Sequence, residues 1–123
     1  ISQNKQNHKT YLHEFSKYNE ISFLEYDFEG TSNYHYVVAN IKVNKRDKLI
    51  DYFEKKNIFI RRYFYPGCHK MKSYQSNSKF KELKLHNTDA ISSKVVVFPT
   101  GRQVNSDTIK YFAKLFGEFL RVK

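Results

Sequence analysis

Tyr34-His35-Tyr36-Val37-Val38-Ala39-Asn40-Ile41-Lys42-Val43 is the stretch on which the fold turns. Side chains of an extended chain point alternately to opposite faces. Val37, Ala39, Ile41 and Val43 therefore share one face, and Tyr34, Tyr36, Val38 and Asn40 share the other. His35 falls at the end of the apolar face. One face is fully apolar and the other half so, the pattern of a strand whose sheet is covered on one side. The half-apolar face is expected to pack against something outside the chain.

The flanking segments supply the cover. Tyr11, Leu12 and Phe15, extended one turn back by His8, predict an opening helix that runs to about Tyr18 and stops at Asn19. Residues 21–26 read as a short strand, and 27–33, with Gly30, Thr31 and Ser32, as a loop. After the central strand, Asn44 is placed to cap a helix with Asp47 in its first turn and Leu49, Ile50 and Phe53 as its stripe. Asn57 ends it, and residues 58–60 read as a short buried strand. In the long loop 63–78, Pro66 and Gly67 fit positions i+1 and i+2 of a type II turn. Helical turns are expected over 80–85 and 89–93. Residues 95–98 form a strand ended by Pro99-Thr100-Gly101. Asn105 or Ser106 caps a last helix striped by Ile109, Phe112, Ala113, Phe116, Phe119 and Leu120, with Gly117 costing it about 1 kcal/mol. The order of elements predicts an α+β fold: a small, mainly antiparallel sheet with helices packed on one face.

A chain of 123 residues is one domain by size and long enough to bury a core without disulfides or metals. Aromatics make up 17% of it, so that core is expected to be rich in rings. Cys68 is the one cysteine, which rules out an internal disulfide and fits a reducing compartment. The longest apolar run is four residues, Val95–Phe98, too short to cross a bilayer. No basic-then-apolar leader opens the sequence. The net charge of +10 admits a nucleic-acid partner, but the lysines are spread along nearly the whole chain, which favours solvated faces. An acidic small ligand, such as a phosphorylated metabolite, lies between those readings. The chain opens inside an amphipathic helix without a firm cap, so it is expected to be a piece of something longer.

Chemistry-bearing groups concentrate in Arg61-Arg62-Tyr63-Phe64-Tyr65-Pro66-Gly67-Cys68-His69-Lys70-Met71. Guanidiniums bind anionic oxygens and rings stack on flat groups, while a Pro-Gly pair holds a turn. Arg61 and Arg62 alternate in direction if the strand continues. Other chemistries fare worse. His8 and His13 are five apart and do not share a helix face, and His35, His69 and His86 lack ligand-spaced partners, so no metal is expected. Cys68 and His69 are adjacent and have no orienting third group for thiol catalysis. Four glycines in the whole chain exclude a glycine-rich dinucleotide loop. These are binding groups without a complete catalytic set.

Asn33-Tyr34-His35-Tyr36-Val37-Val38, then Lys45-Arg46-Asp47-Lys48-Leu49-Ile50-Asp51-Tyr52-Phe53 with Ile58, then the Arg61–His69 run, then Val97-Phe98-Pro99-Thr100-Gly101, come in a familiar order. Nearly the whole chain resembles the C-terminal small domain of the DegT/DnrJ/StrS-type sugar aminotransferases, pyridoxal-phosphate enzymes of the aspartate aminotransferase fold. The resemblance implies residues 1–19 as the end of an inter-domain helix and 20–123 as the small domain, with an N-terminal cofactor-binding domain elsewhere. It implies transfer of an amino group from glutamate to a nucleotide-linked keto-sugar by a cytoplasmic homodimer, with no nucleic-acid or membrane partner. The cofactor's lysine and the aspartate on its ring nitrogen would lie in that other domain, so this piece would be inactive alone and bind no cofactor. Carried over by position, Tyr65 and His69 border the sugar or cofactor, Arg62 contacts a phosphate or the donor carboxylate, and His35 is a further candidate. One departure is Gly67-Cys68, where many relatives carry Leu before the histidine. A related subgroup dehydrates its sugar instead, using a histidine at the lysine position. A different class of reading is a small basic RNA-binding module, with Tyr34 and Tyr36 stacking bases between Arg61 and Arg62. Exposed sheet face and helix are also expected to make the piece self-associate.

Overall fold

The computed structural model describes residues 1–26, 30–42, 44–63 and 65–122. Asp27, Val43 and Phe64, which figure in the readings above, lie outside these. Three strands, β1 (Ile21–Phe23), β2 (Val37–Ile41) and β3 (Val95–Phe98), form one antiparallel sheet in the order β1-β2-β3. Ile21 stands opposite Ile41 and Val37 opposite Phe98. This is the α+β sheet the alternation of β2 predicts. Val37, Ala39 and Ile41 are fully buried, while Asn40 on the other face is exposed.

The buried face is covered by three helices: α1 (Ser2–Glu14), α2 (Arg46–Glu54) and a later one, Ser106–Arg121. Between them run three short helices, α3 (Lys72–Gln75), α4 (Ser78–Lys81) and α5 (His86–Ser92), so Ser106–Arg121 is α6. The Oδ1 of Asn105 accepts the Thr108 backbone N–H at 2.9 Å, capping α6 as its sequence indicates. Its stripe of Ile109, Phe112, Ala113, Phe116 and Phe119 joins Tyr11, Phe15, Leu49, Phe53, Val96 and Phe98 in one core. Phe15 touches the rings of Phe23, Phe98 and Phe116 at 5.1–5.7 Å, the offset and edge contacts that rings prefer.

Several boundaries differ from the sequence reading. α1 ends at Glu14 rather than Tyr18, because the chain turns there to bring Tyr18 back onto α6. The Tyr18 hydroxyl donates to the Ala113 carbonyl at 2.9 Å, and a Cβ on Gly117 would lie 2.4 Å from that oxygen. Gly117 is thus the gap that admits Tyr18. Lys45, not Asn44, is the N-cap of α2, and no side chain caps it. Residues 58–60 form no strand. Ile58 and Ile60 are buried, but only Arg61 pairs, in a single antiparallel bridge with Val97. β1 and β2 are shorter than predicted, and Tyr34, at φ 51, leaves the extended conformation altogether.

α1 is also tied down by polar groups. The Tyr11 hydroxyl donates to the Pro99 carbonyl at 2.6 Å, and the buried Asn7 amide reaches Thr100 Oγ1 and the Gly101 carbonyl, each at 3.2 Å. These bonds hold the Pro99-Thr100-Gly101 turn beside the start of β2. The outer face of the sheet carries a shallow apolar groove of about 480 Å³ between Leu24, Val38, Val95 and Ile91 of α5. No helix among the described residues is long and apolar enough to cross a membrane.

Candidate functional site

The polar groups singled out in the sequence gather where the chain leaves the core after Ile60. Arg61 exchanges both backbone hydrogen bonds with Val97, at 3.0 and 2.8 Å, so its Cα is fixed at the edge of β3. The chain then turns away. The Tyr65–Pro66 peptide is cis, and Gly67 has φ 101 and ψ 150. A type II turn needs ψ near 0° at that residue, so the predicted type II turn is absent. Glycine is required here twice over: L residues avoid this φ, and a Cβ would sit 2.9 Å from Cε1 of His69.

His69 lies inward, 6% exposed. Its Nε2 donates to Asp89 Oδ1 at 2.9 Å, and Lys70 Nζ meets the same oxygen at 3.1 Å. Gln75 donates to the His69 carbonyl at 2.6 Å. The Lys70 hydrogen bond, seconded by that of His69, holds the Asp89 carboxyl below its ordinary pKa. His69 and Lys70 therefore clamp the loop onto α5.

Tyr65 lies outward, 47% exposed, with two guanidiniums near its ring: Arg46 at 4.5 Å from the centroid and Arg62 at 5.7 Å. Asp47 joins the two cations, meeting Arg46 Nε at 3.1 Å and Arg62 Nη1 at 3.5 Å. Arg46 is 5% exposed and also donates to the Ser92 carbonyl at the end of α5. Two guanidiniums against one carboxylate leave this stack net positive, with Arg62 as its solvent-facing member. The sequence reading missed Arg46. Its burial depends on a carbonyl 46 residues away, and nothing in its own neighbourhood signals that.

A second cluster lies on the other side of Arg61. The rings of His35 and Tyr36 meet at 4.6 Å, those of Tyr36 and Tyr63 at 6.1 Å and 87°, and the Arg61 guanidinium lies 5.9 Å from the Tyr63 centroid. These groups, with Phe59 and Thr100, line an open groove of about 450 Å³. Tyr34 is elsewhere, buried against His8 and Tyr26. The paired display of Tyr34 and Tyr36 on which the RNA-binding reading depends is therefore absent. Of the predicted site residues, Arg62 and Tyr65 stand together, His35 lines the separate groove, and His69 is interior. No group of three or more metal-ligating side chains converges among the described residues.

Residues 1–116 match the sequence model of the DegT/DnrJ/EryC1/StrS aminotransferase family. The chain belongs to that family. It is 34% identical over 73 residues to the dTDP-4-amino-4,6-dideoxy-D-glucose transaminase of Shigella dysenteriae, a match covering 59% of this chain and 19% of that protein. Among solved structures, it resembles DesI in the presence of its TDP-sugar product, at 25% identity and a TM-score of 0.83 over 94% of this chain and 30% of that one. The Escherichia coli GDP-4-keto-6-deoxy-D-mannose-3-dehydratase with bound hydrated PLP shares the fold, at 16% identity and a TM-score of 0.70 over 93% of this chain and 30% of that one. The chain thus spans less than a third of the length of each of these three proteins.

Proposed function

We propose that this chain forms the substrate-facing wall of a sugar aminotransferase that takes an amino group from glutamate and places it on a nucleotide-linked keto-sugar, as a homodimer with pyridoxal 5'-phosphate. That cofactor supplies an electron sink at the carbon where the amino group is exchanged. Its anchor is a lysine whose charge must be suppressed, which calls for burial. Among the described residues no lysine is buried. We place the anchor outside the 123 residues, with the chain alone inactive.

What remains for this chain is to bind and orient an anionic substrate. The observation that carries the reading is the Arg46–Tyr65–Arg62 stack, a net-positive, ring-faced surface held rigid by one buried guanidinium. Arg62 offers its fork to a substrate phosphate or to the glutamate carboxylate, exchanging Asp47 for it. Tyr65 presents its phenol beside that anion, and His35 borders the substrate from the adjoining groove. His69 acts from beneath, through Asp89, to keep the loop in place. The 34% identical relative is named as a dTDP-sugar transaminase, whereas the dehydratase likeness is one of fold.

The test is an assay of the whole enzyme that carries this chain, with glutamate and a dTDP-linked keto-sugar. Formation of 2-oxoglutarate in step with an amino sugar supports the proposal. Loss of a sugar hydroxyl, with the glutamate nitrogen released as ammonia rather than carried on the sugar, replaces it by the dehydratase reading.

A further inference from the structure

Arg46 stands where three elements meet. It opens α2 and is almost wholly buried. Its Nε donates to Asp47 Oδ1 at 3.1 Å, its Nη1 donates to the Ser92 carbonyl at the end of α5, and its guanidinium carbon lies 4.5 Å from the centroid of the Tyr65 ring. Burying a guanidinium is a poor way to stabilise a fold, because the charge gives up its water and an apolar side chain of the same bulk often does as well. Nor is its carboxylate partner interior, since Asp47 is largely exposed. What the guanidinium touches explains it better. Its N–H groups donate in two directions within one plane and leave a face for a ring, whereas an ammonium has no such plane.

The same short helix holds the loop a second time. Asp89, three residues before Ser92 and so just under one helical turn away, takes His69 Nε2 at 2.9 Å and Lys70 Nζ at 3.1 Å. Thr88 closes on Gly67, its Cγ2 lying 3.3 Å from the place a Cβ on that glycine would occupy. The backbone around His69 is thus pinned directly to α5. The Tyr65 side chain is not: its polar contacts among the described residues are the guanidiniums of Arg46 and Arg62. Arg62 is itself half exposed, so Arg46 is the contact with a fixed place.

We propose that Arg46 is the positioning residue of this site. It links the end of α5 to the Tyr65 ring and, through Asp47, to the guanidinium of Arg62. That this pair then meets an anionic substrate rests on the reading above, while the hold of Arg46 on the pair rests on geometry alone.

The test uses the whole enzyme that carries this chain, grown with fluorotyrosine, its Tyr65 fluorine line assigned by loss in Tyr65→Phe. Arg46→Lys keeps the charge, and Arg46→Met keeps the bulk. In both, that line should move towards the position of free fluorotyrosine while cooperative urea unfolding is retained. Each should also raise, by about fivefold, the half-saturating concentration of whichever substrate responds to Arg62→Ala combined with Tyr65→Leu. In that combined background the same Arg46 change should add less than about twofold. An arginine that served only the stability of the fold would add the same factor in both backgrounds. That result overturns the proposal, and so does an unmoved fluorine line in Arg46→Lys. A line that moves while neither substrate responds to any of these changes supports the hold of Arg46 on the ring and refutes the substrate-wall reading instead.

Discussion

Replacing Gly117 with alanine should destabilise this protein, although helix propensity argues the reverse. Gly117 lies inside α6, where alanine is favoured over glycine by about 1 kcal/mol. The new Cβ would meet the Tyr18 hydroxyl at 2.4 Å and its Cζ at 3.2 Å. Tyr18 cannot simply step aside, because its ring packs against Phe15 and Phe116 at 6.1 and 5.1 Å and its hydroxyl donates to Ala113. Losing that bond costs about 1 kcal/mol, and overpacking a well-filled site costs ~1–3 kcal/mol. Set against the propensity gain, the net loss is about 1–3 kcal/mol. Urea unfolding followed by far-UV circular dichroism measures it as a lowered midpoint at constant slope. A Tyr18→Phe background removes the clashing oxygen, and there Gly117→Ala should be neutral or stabilising. The coupling between the two substitutions should be at least about 1 kcal/mol. A raised midpoint for Gly117→Ala alone would refute the reasoning.

Other expectations follow from the same geometry. Tyr11→Phe leaves the Pro99 carbonyl without its 2.6 Å partner and should cost about 1 kcal/mol in the same assay. Burial also pushes the Tyr11 phenol far above its ordinary value, so in a spectrophotometric titration it should ionise only as the protein unfolds in alkali. Asp89 has a folded pKa held below 3.8, so its contribution is present in full above that value and is lost as pH falls through the depressed one. Amide exchange over residues 68–75 should therefore quicken in acid relative to the sheet, and Asp89→Asn should abolish that difference. The 123-residue chain mixed with pyridoxal phosphate and glutamate should release no 2-oxoglutarate; release would place the cofactor anchor inside it.

The apolar half of the fold was legible because periodicity reports burial directly. β2 alternates with period two and α6 carries one stripe, and both faces lie where the pattern puts them. The polar half was not. Arg46, Asn7 and His69 are buried by partners 46, 93 or 94, and 20 residues away, so nothing in their own segments marks them as interior. Pro66-Gly67 reads locally as a type II turn, yet Gly67 is shaped by the imidazole beneath it. Gly117 reads as a weakness in α6 and is instead the space Tyr18 needs. For the site, the sequence located the cationic, ring-rich loop but could not tell which arginine is already engaged. That depends on Asp47, fourteen positions before Arg61 and fifteen before Arg62.

The account stands most directly on whether this wall touches substrate. Single-turnover kinetics of the whole enzyme separates the glutamate half of the reaction from the sugar half. With Arg61 and Arg62 both replaced by alanine, the sugar half should need at least about tenfold more nucleotide keto-sugar to reach half its maximal rate. If both halves run as in the unaltered enzyme at every substrate concentration, these arginines face no substrate and the account is contradicted.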